Sequence, residues 1–233
     1  MPTPRAILFD LDDTLYPRRR FELSGFRAVA AHLDRTEGID AGLAFVVLTR
    51  ASRGSHRGRA LQACLSRFGL PHALVPDLIE IIRAHRPAMR LPIDSRRTLE
   101  RLRHHWRLGI VTNGLPAVQA RKVDALGLRT LVDTVVFASQ HGTGRGKPDP
   151  APFVEALRRL GVPPSRALFV GDDDLCDLFG AARLGLRTVF CGGYLRPAFE
   201  RPRHADVVVD ALARVSQVAD VLLPDEEGSR DVA

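Results

Sequence analysis

Short apolar runs that are typical of buried strands alternate with helical patterns along most of this 233-residue chain. Because such alternation builds right-handed βαβ units, it predicts an α/β fold, with a Rossmann-like parallel sheet and helices on both faces. The predicted strands are Arg5–Phe9, Leu108–Thr112, Thr134–Ala138, Ala167–Val170, Leu186–Phe190 and Asp206–Val209. The predicted helices between them are Ser95–His105, Pro116–Leu126, Ala151–Leu160 and Leu175–Leu184.

The segment 17–89 interrupts this alternation. It has no convincing strand, and its four helical patterns are Glu22–Leu33, Gly42–Ala51, Arg59–Phe68 and Pro76–His85. The sequence therefore predicts a small helical domain inserted after the first strand of a core made of residues 1–16 and 90–223. The polar residues 224–233 are predicted to be a flexible tail.

The composition is that of a globular protein with a sizeable core, since 45% of the residues are hydrophobic and 26% are charged. The three cysteines, Cys64, Cys176 and Cys191, are an odd number without paired spacing, which argues against a disulfide framework. No apolar run approaches the roughly 18 residues of a membrane span. The chain also enters its first strand without room for a signal peptide. We therefore expect a cytoplasmic protein with no membrane partner; its oligomeric state stays open.

The net charge of +7 comes almost entirely from arginine, because Lys122 and Lys147 are the only lysines among 34 basic residues. The charge is scattered along the chain, so no nucleic-acid partner is predicted. The scarcity of lysine adds weight to Lys147, which lies within a motif described below. The basic stretches Arg18–Arg20 and Arg50–Arg59 favour a solvated surface; the alternative is a site for a second anionic group of a substrate.

Two acids, Asp10 and Asp12, follow the first predicted strand. Open α/β sheets bind their ligands at the carboxyl ends of the strands. Residues two apart in an extended backbone point to the same side, so both carboxylates are expected to face one ligand. The alternative is a pair of surface acids, but the apolar run before Asp10 and Thr14 after it favour a functional site.

Three further polar segments occur in order along the chain. Thr112-Asn113-Gly114 follows the second predicted strand, although Asn-Gly alone is also an ordinary turn. Lys147 comes next, and Gly171–Asp177 then follows the fourth strand with several acids. Carboxylates gathered beside Asp10 would repel one another unless a cation held them. An all-oxygen set of this kind suits Mg²⁺.

These segments, in this order, resemble the motifs of the haloacid dehalogenase (HAD) superfamily, and the resemblance covers about residues 5–220. The resemblance implies that segment 17–89 is the helical cap of a type I member. The opening Leu-Asp-Asp-Thr-Leu-Tyr-Pro and the Thr-Asn-Gly form are similar to the nucleotidase and sugar-phosphate phosphatase branches.

The resemblance also implies the residue roles. Asp10 would attack phosphorus and form an aspartyl-phosphate, and Asp12 would protonate the leaving group and later activate water. The phosphate would be bound by Thr112, by the backbone of Asn113 and by Lys147, which also neutralises the nucleophile. The implied ligands of Mg²⁺ are the Asp10 carboxylate, the Asp12 backbone carbonyl and Asp172, with support from Asp177.

The implied function is Mg²⁺-dependent hydrolysis of a small phosphorylated metabolite, either a nucleoside monophosphate or a sugar phosphate. Family members that cleave carbon–halogen bonds lack an acid at the position of Asp12, so phosphoryl chemistry is favoured. Two alternatives remain: a phosphomutase of the β-phosphoglucomutase kind, and a catalytically silent binding or regulatory protein. Three residues depart from the commoner family pattern: Asp173, Asp174 and Cys176.

Overall fold

The computed structural model describes residues 4–53, 58–194 and 202–224. The chain divides into two compact units, one made of Met1–Pro17 and Arg90–Ala233, and the other of Arg18–Met89. The predicted flexible tail lies outside the described residues from position 225 onward, and so do positions 54–57 of the basic stretch. No helix in the described ranges is long and apolar enough to cross a membrane.

The unit Arg18–Met89 is helical and has its own core. The first helix buries Phe26, Val29 and Leu33, whose spacing of three and four residues forms one apolar face. It ends at Gly38, which takes the left-handed conformation with a φ of 66°. That this unit serves as a cap stays a prediction. Its helices are α1 (Arg19–Glu37), α2 (Ala41–Arg53), α3 (Ala60–Arg67) and α4 (Val75–Ala84).

The other unit is built on a six-stranded parallel sheet, which confirms the predicted fold class. Its strands are β1 (Ala6–Phe9), β2 (Arg107–Thr112), β3 (Thr134–Phe137), β4 (Ala167–Gly171), β5 (Arg187–Cys191) and β6 (Val207–Val209). Their spatial order is β3-β2-β1-β4-β5-β6. Because β1 lies between β2 and β4, the chain winds outward from the centre in both directions. The central pair β1 and β4 therefore forms the topological switch point of the sheet.

Helices surround this sheet, and they are α5 (Ile93–Leu102), α6 (Pro116–Ala125), α7 (Ala151–Leu160), α8 (Gly180–Ala182) and α9 (Val215–Leu222). Right-handed crossovers place α5 and α6 on one face and α7 and α8 on the other. On the α7 face, Leu8 of β1 packs in one cluster with Phe153 and Phe169. The rings of these two phenylalanines meet edge to face, with centroids 5.1 Å apart.

The predicted helix Leu175–Leu184 is wrong as a regular α-helix. The chain forms a π-helical segment, Asp174–Phe179, followed by the short α8. The side chain of Asp173 accepts hydrogen bonds from the backbone N–H groups of Leu175 and Cys176 and so begins this segment. The N–H of Leu178 reaches the Asp173 carbonyl five residues back, which is the wider spacing of a π turn. Other predicted boundaries differ from the structure by a few residues, as is usual for helix and strand ends.

Candidate active site

The candidate site lies at the carboxyl ends of β1 and β4. Asp10 follows β1 directly, and its backbone N–H donates to the carbonyl of Val170 in β4 at 2.9 Å. Asp172 follows β4 directly, so adjacency of the two strands brings both acids to the switch point. Asp10 is only 7% exposed. The predicted edge of the sheet is therefore where these carboxylates meet.

Lys147 lies between two of the predicted acids. Its Nζ is 2.5 Å from Oδ1 of Asp10 and 2.6 Å from Oδ1 of Asp177. All three side chains are almost fully buried. Burial lowers the pKa of Lys147, but the two carboxylates outweigh it and leave that pKa raised. Lys147 is therefore a fixed positive charge beside Asp10.

The side chain of Asn113 holds the backbone of Lys147. Its amide Nδ2 donates to the Lys147 carbonyl at 3.0 Å, and its Oδ1 accepts from the Lys147 N–H at 2.8 Å. Gly146 passes so close to Asn113 that a Cβ there would overlap the amide oxygen, and its φ of 78° is left-handed. Asn113 was predicted to bind phosphate through its backbone, and this stays a prediction. In the structure, the side chain of Asn113 holds the backbone of Lys147 in place.

Three carboxylates form a cluster that could hold a metal ion. Single oxygens of Asp10, Asp172 and Asp177 lie within 4.8 Å of one another. Thr14 donates to Oδ1 of Asp172 at 3.2 Å. An all-oxygen donor set of this size fits a hard divalent cation such as Mg²⁺.

The pKa values of this cluster reflect burial and crowding of like charges. Burial raises the pKa of Asp10 to about 8 and Asp177 adds to the shift, although Lys147 opposes it. Burial raises the pKa of Asp172 to about 7, again with a contribution from Asp177. Without a cation, the cluster therefore retains protons near neutral pH. A bound cation would stabilise the ionised forms.

The carboxylate of Asp12 has a separate set of partners. Lys122 Nζ lies 2.8 and 2.7 Å from its two oxygens, Gln119 Nε2 donates at 3.0 Å, and the Tyr16 hydroxyl donates at 2.5 Å. Burial alone would raise the pKa of Asp12, but Lys122 and the other donors lower it below its usual value. Asp12 and Asp10 therefore have different protein partners, and that both carboxylates face one ligand stays a prediction. Asp13 lies in a turn with a φ of 60°, so the chain is not extended beyond Asp12.

Thr112 is connected to Asp12 through Gln119. The Nε2 of Gln119 lies 2.6 Å from the Thr112 hydroxyl oxygen as well as 3.0 Å from Asp12. Thr112 is 1% exposed at the end of β2. The predicted phosphate-binding hydroxyl is therefore fixed by the same side chain that contacts the predicted acid.

The residues that depart from the family pattern lie outside the carboxylate cluster. Asp173 caps the π-helical segment, and Asp174 accepts from the backbone and ring nitrogens of His204 at 2.9 and 3.1 Å. Burial and the nearby Asp173 raise the pKa of Cys176, which disfavours a thiolate nucleophile. These residues shape the segment that carries Asp177.

Three partners of Asp12 were not predicted from the sequence: Tyr16, Gln119 and Lys122. For Lys122 a signal was present, because the scarcity of lysine that added weight to Lys147 applies to Lys122 equally. Gln119 has no comparable signal, since one glutamine on a helix is ordinary. Its role depends on how α6 packs.

Comparison with known proteins places this chain among hydrolases. A family model described as haloacid dehalogenase-like hydrolase matches residues 4–185. A glyceraldehyde 3-phosphate phosphatase of Methanopyrus kandleri is 33% identical over 79% of this chain and 82% of its own. A protein of the same name from Methanothermobacter thermautotrophicus is 30% identical over 92% and 99%. Among solved structures, a 2-haloacid dehalogenase from Pseudomonas syringae is 26% identical, with a TM-score of 0.63 over 93% of this chain and 98% of that one.

Proposed function

The chain belongs to the haloacid dehalogenase-like hydrolase family and is a phosphatase, and we propose that it hydrolyses a small sugar phosphate through an aspartyl-phosphate on Asp10. The observation that carries this proposal is the Lys147 ammonium, 2.5 Å from Asp10 and 2.6 Å from Asp177 at the switch point of the sheet. A buried cation beside a buried carboxylate is suited to a nucleophile that must meet a negatively charged phosphate.

In the first proposed step, a carboxylate oxygen of Asp10 forms a bond to phosphorus while the bond from phosphorus to the leaving oxygen breaks. Because its lowered pKa leaves Asp12 ionised in the free protein, Asp12 first takes up a proton from solvent; it then gives this proton to the leaving oxygen, which departs as an alcohol. Lys147 and the Thr112 hydroxyl offset negative charge on the phosphoryl oxygens.

In the second proposed step, Asp12 takes a proton from water as the water oxygen bonds to phosphorus. The bond from phosphorus to Asp10 breaks, which releases inorganic phosphate and restores both carboxyl groups. The donors around Asp12 lower its pKa and so favour the ionised form that this step needs.

We propose that Asp10, Asp172 and the backbone carbonyl of Asp12 hold Mg²⁺, with Asp177 in support. When bound, this ion supplies positive charge opposite the transferring phosphoryl group. The support for this assignment is the buried cluster of three carboxylates that lie within 4.8 Å of one another.

The substrate class follows from the relatives. Two of them are named glyceraldehyde 3-phosphate phosphatases and match at least 79% of this chain. We therefore propose small sugar phosphates, with triose phosphates first, ahead of nucleoside monophosphates. The solved dehalogenase shares the fold, but Asp12 provides this chain with an acid that can protonate an alkoxide.

The test is a panel of phosphate monoesters assayed with Mg²⁺ and with EDTA. It includes glyceraldehyde 3-phosphate, ribose 5-phosphate, a nucleoside monophosphate and p-nitrophenyl phosphate. We expect Mg²⁺-dependent release of phosphate, highest with a sugar phosphate. Asp10→Asn should abolish turnover and preserve the circular dichroism spectrum, whereas Asp124→Asn, an exposed acid on α6, should behave like the wild type.

Three results would contradict parts of this proposal. Turnover by Asp10→Asn would remove Asp10 as the nucleophile. Full activity in EDTA would remove the metal assignment. Activity that requires added sugar bisphosphate would indicate a phosphomutase.

A further inference from the structure

The two lysines of this chain both end in the candidate site. All other basic side chains apart from histidine are arginine. Lys147 contacts Asp10 and Asp177, and Lys122 contacts Asp12. Every other position that carries a lysine or arginine carries arginine. The presence of lysine at position 122 therefore points to a local preference for a compact ammonium.

The geometry around Lys122 shows what that preference rests on. The side chain comes from α6 and is 7% exposed, and its Nζ is within 2.8 Å of both oxygens of Asp12. An ammonium is a compact point charge that can lie between two carboxylate oxygens, whereas a guanidinium binds both oxygens through a planar fork that occupies more space. Lys122 is therefore matched to the Asp12 carboxylate in size as well as in charge.

Gln119 connects Asp12 to Thr112, whose hydroxyl is predicted to bind phosphate. It lies three residues before Lys122, so both side chains project from the same face of α6. Its amide nitrogen touches Asp12 at 3.0 Å and the Thr112 oxygen at 2.6 Å. One helix face therefore holds both the acid and the hydroxyl that the proposed function uses.

We propose that Lys122 is a positioning residue that holds the Asp12 carboxylate at the angle needed for proton transfer, with Gln119 coupling that angle to Thr112. The proposal rests on the function proposed above. Lys122 acts through Asp12 and not on the substrate, because its ammonium is occupied by both Asp12 oxygens and its side chain is almost fully buried. Its removal should therefore affect proton transfer more than substrate binding.

The test compares Lys122→Met with Lys122→Arg and with a control, Arg121→Met. Arg121 is the neighbouring exposed basic residue on α6. Each variant is assayed with glycerol phosphate, whose leaving group needs a proton, and with p-nitrophenyl phosphate, whose leaving group needs little. Because general acid catalysis contributes about 10²–10⁴-fold, we expect Lys122→Met to lower kcat for glycerol phosphate by at least about 30-fold. For p-nitrophenyl phosphate we expect a loss of only about threefold, with KM nearly unchanged for both substrates.

A double-mutant cycle tests whether Lys122 acts through Asp12. Adding Lys122→Met to Asp12→Asn should cause no further loss with glycerol phosphate, because the group that Lys122 positions is already gone. Lys122→Arg should recover part of the activity, and Arg121→Met should match the wild type. A crystal structure of Lys122→Met should show the Asp12 carboxylate turned away from its wild-type orientation.

Equal losses on the two substrates, additive effects in the cycle, or an unmoved Asp12 carboxylate in that crystal structure would each overturn the inference. A wild-type protein that hydrolyses none of the monoesters would contradict the proposed function instead. The crystal structure still decides whether Lys122 holds Asp12 in that case.

Discussion

Binding of Mg²⁺ to the cluster of Asp10, Asp172 and Asp177 is expected to release protons near neutral pH. The reason is that this buried cluster has more carboxylates than the single Lys147 ammonium balances, so it retains protons until a cation arrives. The experiment that tests this is a titration of the intact protein with Mg²⁺ at several pH values.

The number of protons released follows from the raised pKa values of Asp10 and Asp172. With Asp10 near 8 and Asp172 near 7, the pair carries about 1.4 protons at pH 7 and about 0.1 at pH 9. Mg²⁺ binding requires both groups to be ionised, so these numbers are the protons released for each ion bound. The apparent affinity should rise with pH over the same range.

The assay is isothermal titration calorimetry of Mg²⁺ binding in two buffers that differ in ionisation enthalpy. The difference between the two measured binding enthalpies, divided by the difference between the two ionisation enthalpies, gives the number of protons released. Asp172→Asn should lower the release at pH 7 to about 0.9, because only Asp10 then loses a proton. Release of fewer than about 0.3 protons by the wild type at pH 7 would refute the reasoning. It would mean that the metal-free cluster is already ionised.

Four further outcomes follow from the structure. In EDTA, the free energy of unfolding should fall as pH rises from about 4 to 8, because the folded state holds more protons than the unfolded state over this range. Mg²⁺ should cancel this trend, and thermal unfolding at several pH values measures it. Gly146→Ala should lower kcat at least about tenfold, because a Cβ would push Asn113 away from the Lys147 backbone; wild-type kinetics would contradict this. Phe153→Ala should cost about 3–5 kcal/mol in urea unfolding, since the ring is fully buried. Replacing Arg18–Met89 by a Gly/Ser linker should leave Mg²⁺-dependent hydrolysis of p-nitrophenyl phosphate but abolish the ranking of sugar phosphates; a retained ranking would place specificity in the sheet unit.

Local patterns in the sequence were enough for the α/β class and for most of the strands. Strand β1 illustrates why: four apolar residues followed by an acid require burial of the strand and exposure of its end to a ligand. The π-helical segment Asp174–Phe179 could not be predicted in the same way, because its residues also fit an ordinary amphipathic helix. The difference of one residue in hydrogen-bond spacing has no sequence signature.

In the candidate site too, some features could be predicted from the sequence and others depend on the tertiary structure. The acids of the site could be proposed from their position after strands, because parallel strands end at one edge of a sheet. That Asp172 and Asp177 meet Asp10 depends on β4 pairing with β1 and not with its sequence neighbour β3.

The partners of Asp12 show the limit of sequence reasoning most clearly. The position of Asp12 after β1 could be read from the sequence, but its contacts with Lys122 and Gln119 depend on the docking of α6. The sequence alone determines which residues carry charge and which strands they follow, because these depend on neighbours along the chain. Only the tertiary structure decides which charges touch, because contacts over more than 100 residues depend on how helices and strands pack.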